Sequence, residues 1–214
     1  MTRVLAATRS ADKLREIRQI LAPYATLEVV DLHAAGIPES PDEDAIEAFD
    51  SFEENALAKA RYFAARSPLP VLADDSGLCV DALGGAPGVR SKRFSGRADL
   101  RGAELDRANN SLLLDRLRGV PDEERTGRYV CAAALVLPGG AEHVSIGTCE
   151  GVIFAEPRGS GGFGYDPLFF VPEAGATFGE LSPGDKDRLS HRGRAVRAAG
   201  EWLARGLDDS AGNR

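Results

Sequence analysis

The chain has 214 residues, of which 43% are hydrophobic and 28% charged, and a net charge of -7. These proportions fit a globular domain long enough to bury a core, and no apolar run approaches the ~20 residues of a membrane span. An acidic balance opposes general polynucleotide binding, so nucleic acid and membrane are excluded as partners and a small molecule, with phosphates and a metal ion, is the class left.

Residues 3–7 read as a first strand, followed by the polar loop Thr8, Arg9, Ser10, Ala11 and Asp12. From Lys13 the apolar positions Leu14, Ile17, Ile20 and Leu21 recur at helical spacing, and Pro23 stops the helix. A second strand is read at residues 27–30, then a loop rich in Pro, Asp and Glu at residues 33–50. Ser51-Phe52-Glu53-Glu54 is a capping box that opens a helix over residues 55–65, with Ala56, Ala60, Phe63 and Ala64 on one side. Residues 71–73 read as a short buried strand delivering Asp74 and Asp75 into a turn, since Asp-Asp-Ser-Gly is ordinary turn chemistry. Side chains alternate on an extended approach, so one of the two carboxylates is expected to face inward.

Residues 78–83 predict another strand, residues 84–97 a Gly- and Arg-rich loop, and residues 101–117 a helix. A long β-type run covers residues 128–137, Pro138-Gly139-Gly140-Ala141 forms a turn, and two short strands are read at residues 143–148 and 151–155. A glycine-dense loop at residues 157–167 and a last helix at residues 192–205 follow, with a disordered tail expected at residues 208–214. This order predicts a single domain over residues 1–207, α/β with a mixed sheet. Cys79, Cys131 and Cys149 are scattered and form no CxxC pair, and the N-terminus has no signal-like apolar stretch. The expected location is cytoplasmic.

Five places along the chain carry candidate chemistry. The loop from Thr8 to Lys13 joins a strand to a helix, where free N–H groups and the positive end of the helix dipole suit a phosphate. Thr8 and Ser10 add hydroxyls and Lys13 a cation, although a helix cap at Ser10 or Asp12 accounts for the same residues. Asp74 and Asp75 need a positive partner, and a hard divalent ion such as Mg²⁺ supplies one. Lys59 can meet a phosphate or pair with a glutamate. Gly159-Ser160-Gly161-Gly162-Phe163-Gly164 spells G-x-G-x-x-G, but Tyr165-Asp166-Pro167 continues into apolar Leu168-Phe169-Phe170 rather than a helix, so the dinucleotide fingerprint is rejected. Its glycines let backbone approach a flat ligand, and Phe163 offers a ring for stacking. Lys186 and Ser190-His191-Arg192-Gly193-Arg194 place cations at a helix start, against the dipole unless an anion or a carbonyl-bearing ligand sits there, the alternative being a basic surface patch paired with Asp185 and Asp187. Asn109-Asn110-Ser111 matches a glycosylation triplet, which has no meaning in a cytoplasmic chain.

Five stretches, in this order, resemble one family, the inosine/xanthosine triphosphate pyrophosphatases that cleanse the nucleotide pool. They are ATRSADKLREI (7–17), SFEENALAKA (51–60), ADDSGLCVDALGGAPGVRS (73–91), GGFGYDPLFF (161–170) and LSHRGRA (189–195). The resemblance implies an elongated two-lobed fold with a central cleft, usually a homodimer. It implies Mg²⁺-dependent cleavage of a purine nucleoside triphosphate (ITP, dITP or XTP) to the monophosphate and pyrophosphate. Carried over by position, Asp75 is the proton acceptor and a metal ligand, and Glu47 a second metal ligand. Thr8, Arg9, Ser10, Ala11, Asp12, Lys13, Lys59, Ser76 and Lys186 hold the nucleotide and its phosphates, while Phe163, Gly164, Tyr165, Asp166, His191 and Arg192 hold the base. Two positions depart from the family pattern: Ser10 stands where Asn is usual, and Lys92 where bacterial relatives often have a small residue. The rival readings are a Maf-like nucleotide pyrophosphatase, which lacks the GFGYDP and SHR pair, and a non-catalytic nucleotide-binding protein.

Overall fold

The fold is taken from a computed structural model that describes residues 1–211, the side chains of residues 44 and 207–211 excepted. Strand β1 (Thr2–Ala6), helix α1 (Ala11–Leu21) and strand β2 (Leu27–Asp31) come first, then α2 (Phe52–Ala64) and β3 (Val71–Val80). Helix α3 (Gly102–Arg116) precedes the long strands β4 (Thr126–Val136) and β5 (Glu142–Ile153). The short strands β6 (Phe169–Val171) and β7 (Ala176–Thr177), then helices α4 (Pro183–Leu189) and α5 (His191–Ala211), complete the fold. The seven strands form one mixed sheet in the order β2-β1-β3-β4-β5-β6-β7, with β1 parallel to β2 and β3, and β6 antiparallel to β5 and β7. This is the expected α/β class. No helix among the described residues is long and apolar enough to cross a membrane.

The chain divides into two compact units. Unit 1 comprises residues 1–75, 131–147 and 191 onward; its core packs Val4, Ala6, Ile17, Ile20, Leu21, Leu72 and Leu135 with Val196, Ala199 and Leu203. Unit 2 comprises residues 76–130 and 148–190, with Leu78, Val80, Leu113, Tyr129, Phe169 and Phe178 at its centre.

Several elements differ from the sequence reading. β3 is one ten-residue strand straight through Asp74-Asp75-Ser76-Gly77, so the expected turn is absent. Nearly all of β3 is buried on both faces, so its central polar residues are held by side chains from elsewhere instead of water. β5 is a single strand where two were read, because Gly147 and Gly151 sit on its inward face. A Cβ at Gly147 would lie 2.1 Å from the His191 carbonyl oxygen, and one at Gly151 would lie 2.5 Å from the Phe169 ring. Helix α4 was not read at all, although Ser182 caps it by accepting from the Asp185 N–H and Pro183 occupies its first turn. Helix α5 continues to Ala211, past the start of the expected tail, and residues 212–214 lie outside the described residues.

Candidate active site

Unit 1 gathers charged side chains on buried helix faces. Lys13, Glu16, Ile17 and Ile20 follow the i, i+3, i+4, i+7 spacing of one α1 face, so two charges ride on an apolar stripe. Phe52, Asn55, Ala56, Lys59, Ala60 and Phe63 repeat the pattern on α2. Between them β3 carries both aspartates into the interior, Asp74 at 0% and Asp75 at 6% exposure, where the sequence reading expected only one.

Asp74 is the hub. Its Oδ2 lies 3.1 Å from Lys13 Nζ and 3.1 Å from Arg192 Nε. Arg192 Nη1 in turn donates to Glu16 Oε2 at 2.5 Å. Burial alone would raise the Asp74 carboxyl, but Lys13, Arg192 and Lys59 outweigh it and hold the group far below the usual range. Asp74 is thereby favoured as an anion. Its Oδ1 is buried with no hydrogen-bond partner among the described residues, which leaves an acceptor for a cation or a water.

Asp75 behaves in the opposite way. Burial and the nearby Glu47 charge push its carboxyl up, more strongly than Lys13, Lys59 and the 3.0 Å hydrogen bond from Asn55 Nδ2 pull it down. A carboxylate whose proton affinity is raised by burial and a like charge is suited to accept a proton. Lys59 pairs with Glu47. Burial favours the neutral lysine, but Glu47 and Asp74 win and hold Lys59 charged.

Among the described residues no group of three or more His, Cys, Asp or Glu side chains could hold a metal ion. Glu47 and Asp75 carry like charges that act on each other, and this donor set fits a Mg²⁺ that keeps waters and shares substrate phosphates, since that ion is commonly held by one or two carboxylates.

The opening loop is ordered by its own groups. Thr8 Oγ1 accepts from the Ser10 N–H at 3.1 Å, and Ser10 caps α1 by accepting from the Lys13 N–H at 3.3 Å. Ala11 is the first helical residue, and Asp12 pairs with exposed Arg15. Arg9 forks onto Glu43 at 2.7 and 3.0 Å and donates to the Ile37 and Pro38 carbonyls, so its side chain fastens this loop to residues 37–43. His191 and Arg192 open α5, both buried. The anions demanded by cations at a helix start are here protein carboxylates: Arg192, read as a base contact, is 2% exposed and committed through Nε and Nη1 to Asp74 and Glu16.

Unit 2 holds a second cluster. Asp166 Oδ2 accepts from Lys186 Nζ at 2.6 Å and from the Phe163 N–H at 2.7 Å, and Lys186 Nζ stands 4.7 Å from the Phe163 ring centre. Lys186, expected at a phosphate, is buried here and paired with Asp166. Gly162, at φ +72°, admits no side chain, because a Cβ there would fall 2.0 Å from Asp166 Oδ2. Tyr165 is buried and donates to the Ser91 carbonyl at 2.8 Å, Ser76 is half-buried on β3, and no helix follows the glycines. Lys92 is exposed, its backbone carbonyl taken by Asn109.

The Ham1 family profile matches residues 4–202. The chain belongs to the Ham1 family. Among its Ham1 relatives, the dITP/XTP pyrophosphatase of Nocardia farcinica is 54% identical over 201 residues, 92% of each chain. That of Geobacter sulfurreducens is 50% identical and covers 92% of this chain and 94% of its own. A HAM1 protein from Coxiella burnetii superposes with a TM-score of 0.80 at 34% identity, covering 96% of this chain and 100% of that one. The nucleoside-triphosphatase / dITP/XTP pyrophosphatase of Mycobacterium abscessus, 42% identical, gives 0.67 over 92% and 98%.

Glu16, Asn55 and Glu43 were missed by the sequence reading. Glu16 and Asn55 were legible as polar residues on apolar helix faces, whereas Glu43 lies 34 residues from Arg9 with nothing local to mark it.

Proposed function

We propose that this Ham1 protein hydrolyses non-standard purine nucleoside triphosphates, ITP, dITP and XTP, to the monophosphate and pyrophosphate. The chain is an enzyme of the nucleoside-triphosphate pyrophosphatase class, as relatives 44–54% identical over more than nine-tenths of its length carry that name. The observation that carries the reading is the grouping of Lys13 and Lys59 with Glu47, Asp74 and Asp75 in unit 1, all but Glu47 within the stretches that resemble the family. The family match sets the Maf-like alternative aside.

In this proposal Asp75 orients a water and takes its proton as the oxygen attacks the α-phosphorus. The bond from that phosphorus to the α–β bridging oxygen breaks, and pyrophosphate leaves with the bonding pair. Lys13 and Lys59 offset the charge on the departing group. Asp75 and Glu47 would hold Mg²⁺, which when bound neutralises phosphate oxygens. Asp74 keeps Lys13 in place and charged surroundings constant through the cycle. The aromatic loop of residues 163–166 is assigned the purine. His191 and Arg192, placed at the base by the resemblance to the family, are residues whose N–H donors suit a 6-oxo group and oppose the amino group of adenine. A homodimer and a cytoplasmic location belong to the same proposal.

A triphosphate panel assayed for released pyrophosphate, with and without EDTA, tests the reaction. ITP, dITP and XTP are expected to lead, and Asp75→Asn to lose about 10²–10⁴-fold in turnover while still folding. Preference for ATP, or full turnover by Asp75→Asn, would overturn the reading.

A further inference from the structure

Helix α3 holds both polar groups of a single glycine in the aromatic loop. Asp106 Oδ2 accepts from the Gly164 N–H at 2.8 Å, and Asn110 Nδ2 donates to the Gly164 carbonyl at 3.0 Å. The two side chains are four residues apart and so share one face of α3. Gly164 sits at φ +63°, in the left-handed region that favours glycine, so the helix grips it entirely through the peptide. Between them Asn109 accepts from the Ser95 N–H at 2.8 Å and donates to the Lys92 carbonyl at 3.2 Å. Three polar residues of one helix thus serve the backbone of two loops rather than solvent. Gly162 and Gly164, both at positive φ, give the segment a wide choice of conformations, and the Asp106–Gly164–Asn110 clamp selects one of them.

We propose that Asp106 and Asn110 are positioning residues for purine recognition, presetting residues 163–166 in the conformation that the base meets. This rests on the assignment of that loop to the base. A charged acceptor on a half-buried N–H is among the stronger hydrogen bonds, so its loss should make the competent loop conformation about tenfold rarer and raise KM in proportion.

The experiment compares Asp106→Ala, Asp106→Asn and Asn110→Ala by steady-state kinetics on ITP and GTP, by melting temperature, and by hydrogen exchange of a peptide spanning Gly164. The alanine variants are expected to raise KM for ITP about tenfold, to change kcat less than about threefold, and to narrow the ITP/GTP ratio of kcat/KM. Asp106→Asn, which still offers an amide oxygen, should recover most of the loss, and exchange at Gly164 should quicken only in Asp106→Ala. Unchanged KM and selectivity, or equal losses on both substrates that merely follow the melting temperature, would overturn the proposal. So would Asp106→Asn failing as badly as Asp106→Ala. If the unmodified protein turned over neither substrate, the proposed reaction would fall, while the exchange arm would still decide the clamp.

Discussion

Removing the cation of the buried Glu16–Arg192–Asp74 chain should cost far more than removing Glu16 and Arg192 together. In Arg192→Met, Asp74 keeps Lys13 at 3.1 Å, but Glu16, with 6% of its side chain exposed, loses the partner that lay 2.5 Å away. Breaking a buried pair by removing one partner costs about 3–5 kcal/mol. Against a typical total of ~5–15 kcal/mol this is a large fraction. At ~2–4 °C per kcal/mol for a chain of this size, the melting point should fall by about 6–20 °C. Glu16→Leu should sit near the low end of that range, because Arg192 retains Asp74. Glu16→Leu/Arg192→Met removes one charge of each sign and fills the space with apolar atoms, so it should lie within about 2 kcal/mol of the unmodified protein. Urea unfolding followed at the single tryptophan, Trp202, reads the unit that contains the pair. Additive single costs, or single costs under about 1 kcal/mol, would refute a coupled buried charge chain.

EDTA should abolish turnover without lowering the melting temperature, and Mg²⁺ should restore it, because no described cluster of three or more ligating side chains makes a metal structural; a melting point lower by several degrees in EDTA would contradict this. Glu43 is held below its ordinary value of 4.5, first by its hydrogen bond with Arg9. A depressed carboxylate stabilises the fold fully above its unfolded value and loses that contribution as pH falls through the folded one. The stability gap between the unmodified protein and Glu43→Gln should therefore be flat near neutrality and close below about pH 4.5, as urea midpoints across a pH series would record. Gly147→Ala should destabilise by about 1–3 kcal/mol or more, since its Cβ would meet the backbone of His191 at 2.1 Å and of Ala195 at 2.6 Å. Gly206→Ala, in open space on α5, is the control and should not destabilise.

Much of the fold was legible because its signals are local. The apolar spacing of α1 and the capping residues of α2 fix those helices, and Ser51 is observed as the N-cap, its Oγ accepting from the Glu54 N–H at 3.2 Å. Asp74-Asp75-Ser76-Gly77 misled for a physical reason: in water these residues turn, but here Lys13, Arg192 and Asn55 arrive from distant segments and keep the strand extended. The site divides along the same line. Lys13, Lys59 and the aspartates announce themselves by type and motif, whereas Asp106 and Asn110 look like ordinary polar residues of a helix. Their partner is a peptide group 54–58 residues away, and a backbone N–H has no signature in a sequence.

The cations at the start of α5 show how such a gap closes. An arginine against the positive end of a helix demands an anion, and that demand was readable without knowing its answer. Two supplies were open: a ligand, or carboxylates of the protein. Glu16 decides between them, for a carboxylate on the buried stripe of α1 would be as costly alone as Arg192 would be. Each unaffordable charge predicts the other. Where a sequence holds two buried charges of opposite sign on separate helices, their pairing is therefore the cheaper hypothesis than a ligand for either. By that reasoning Lys13 and Lys59, held beside carboxylates yet less buried than Arg192, are better suited than Arg192 to the phosphates of the proposed reaction.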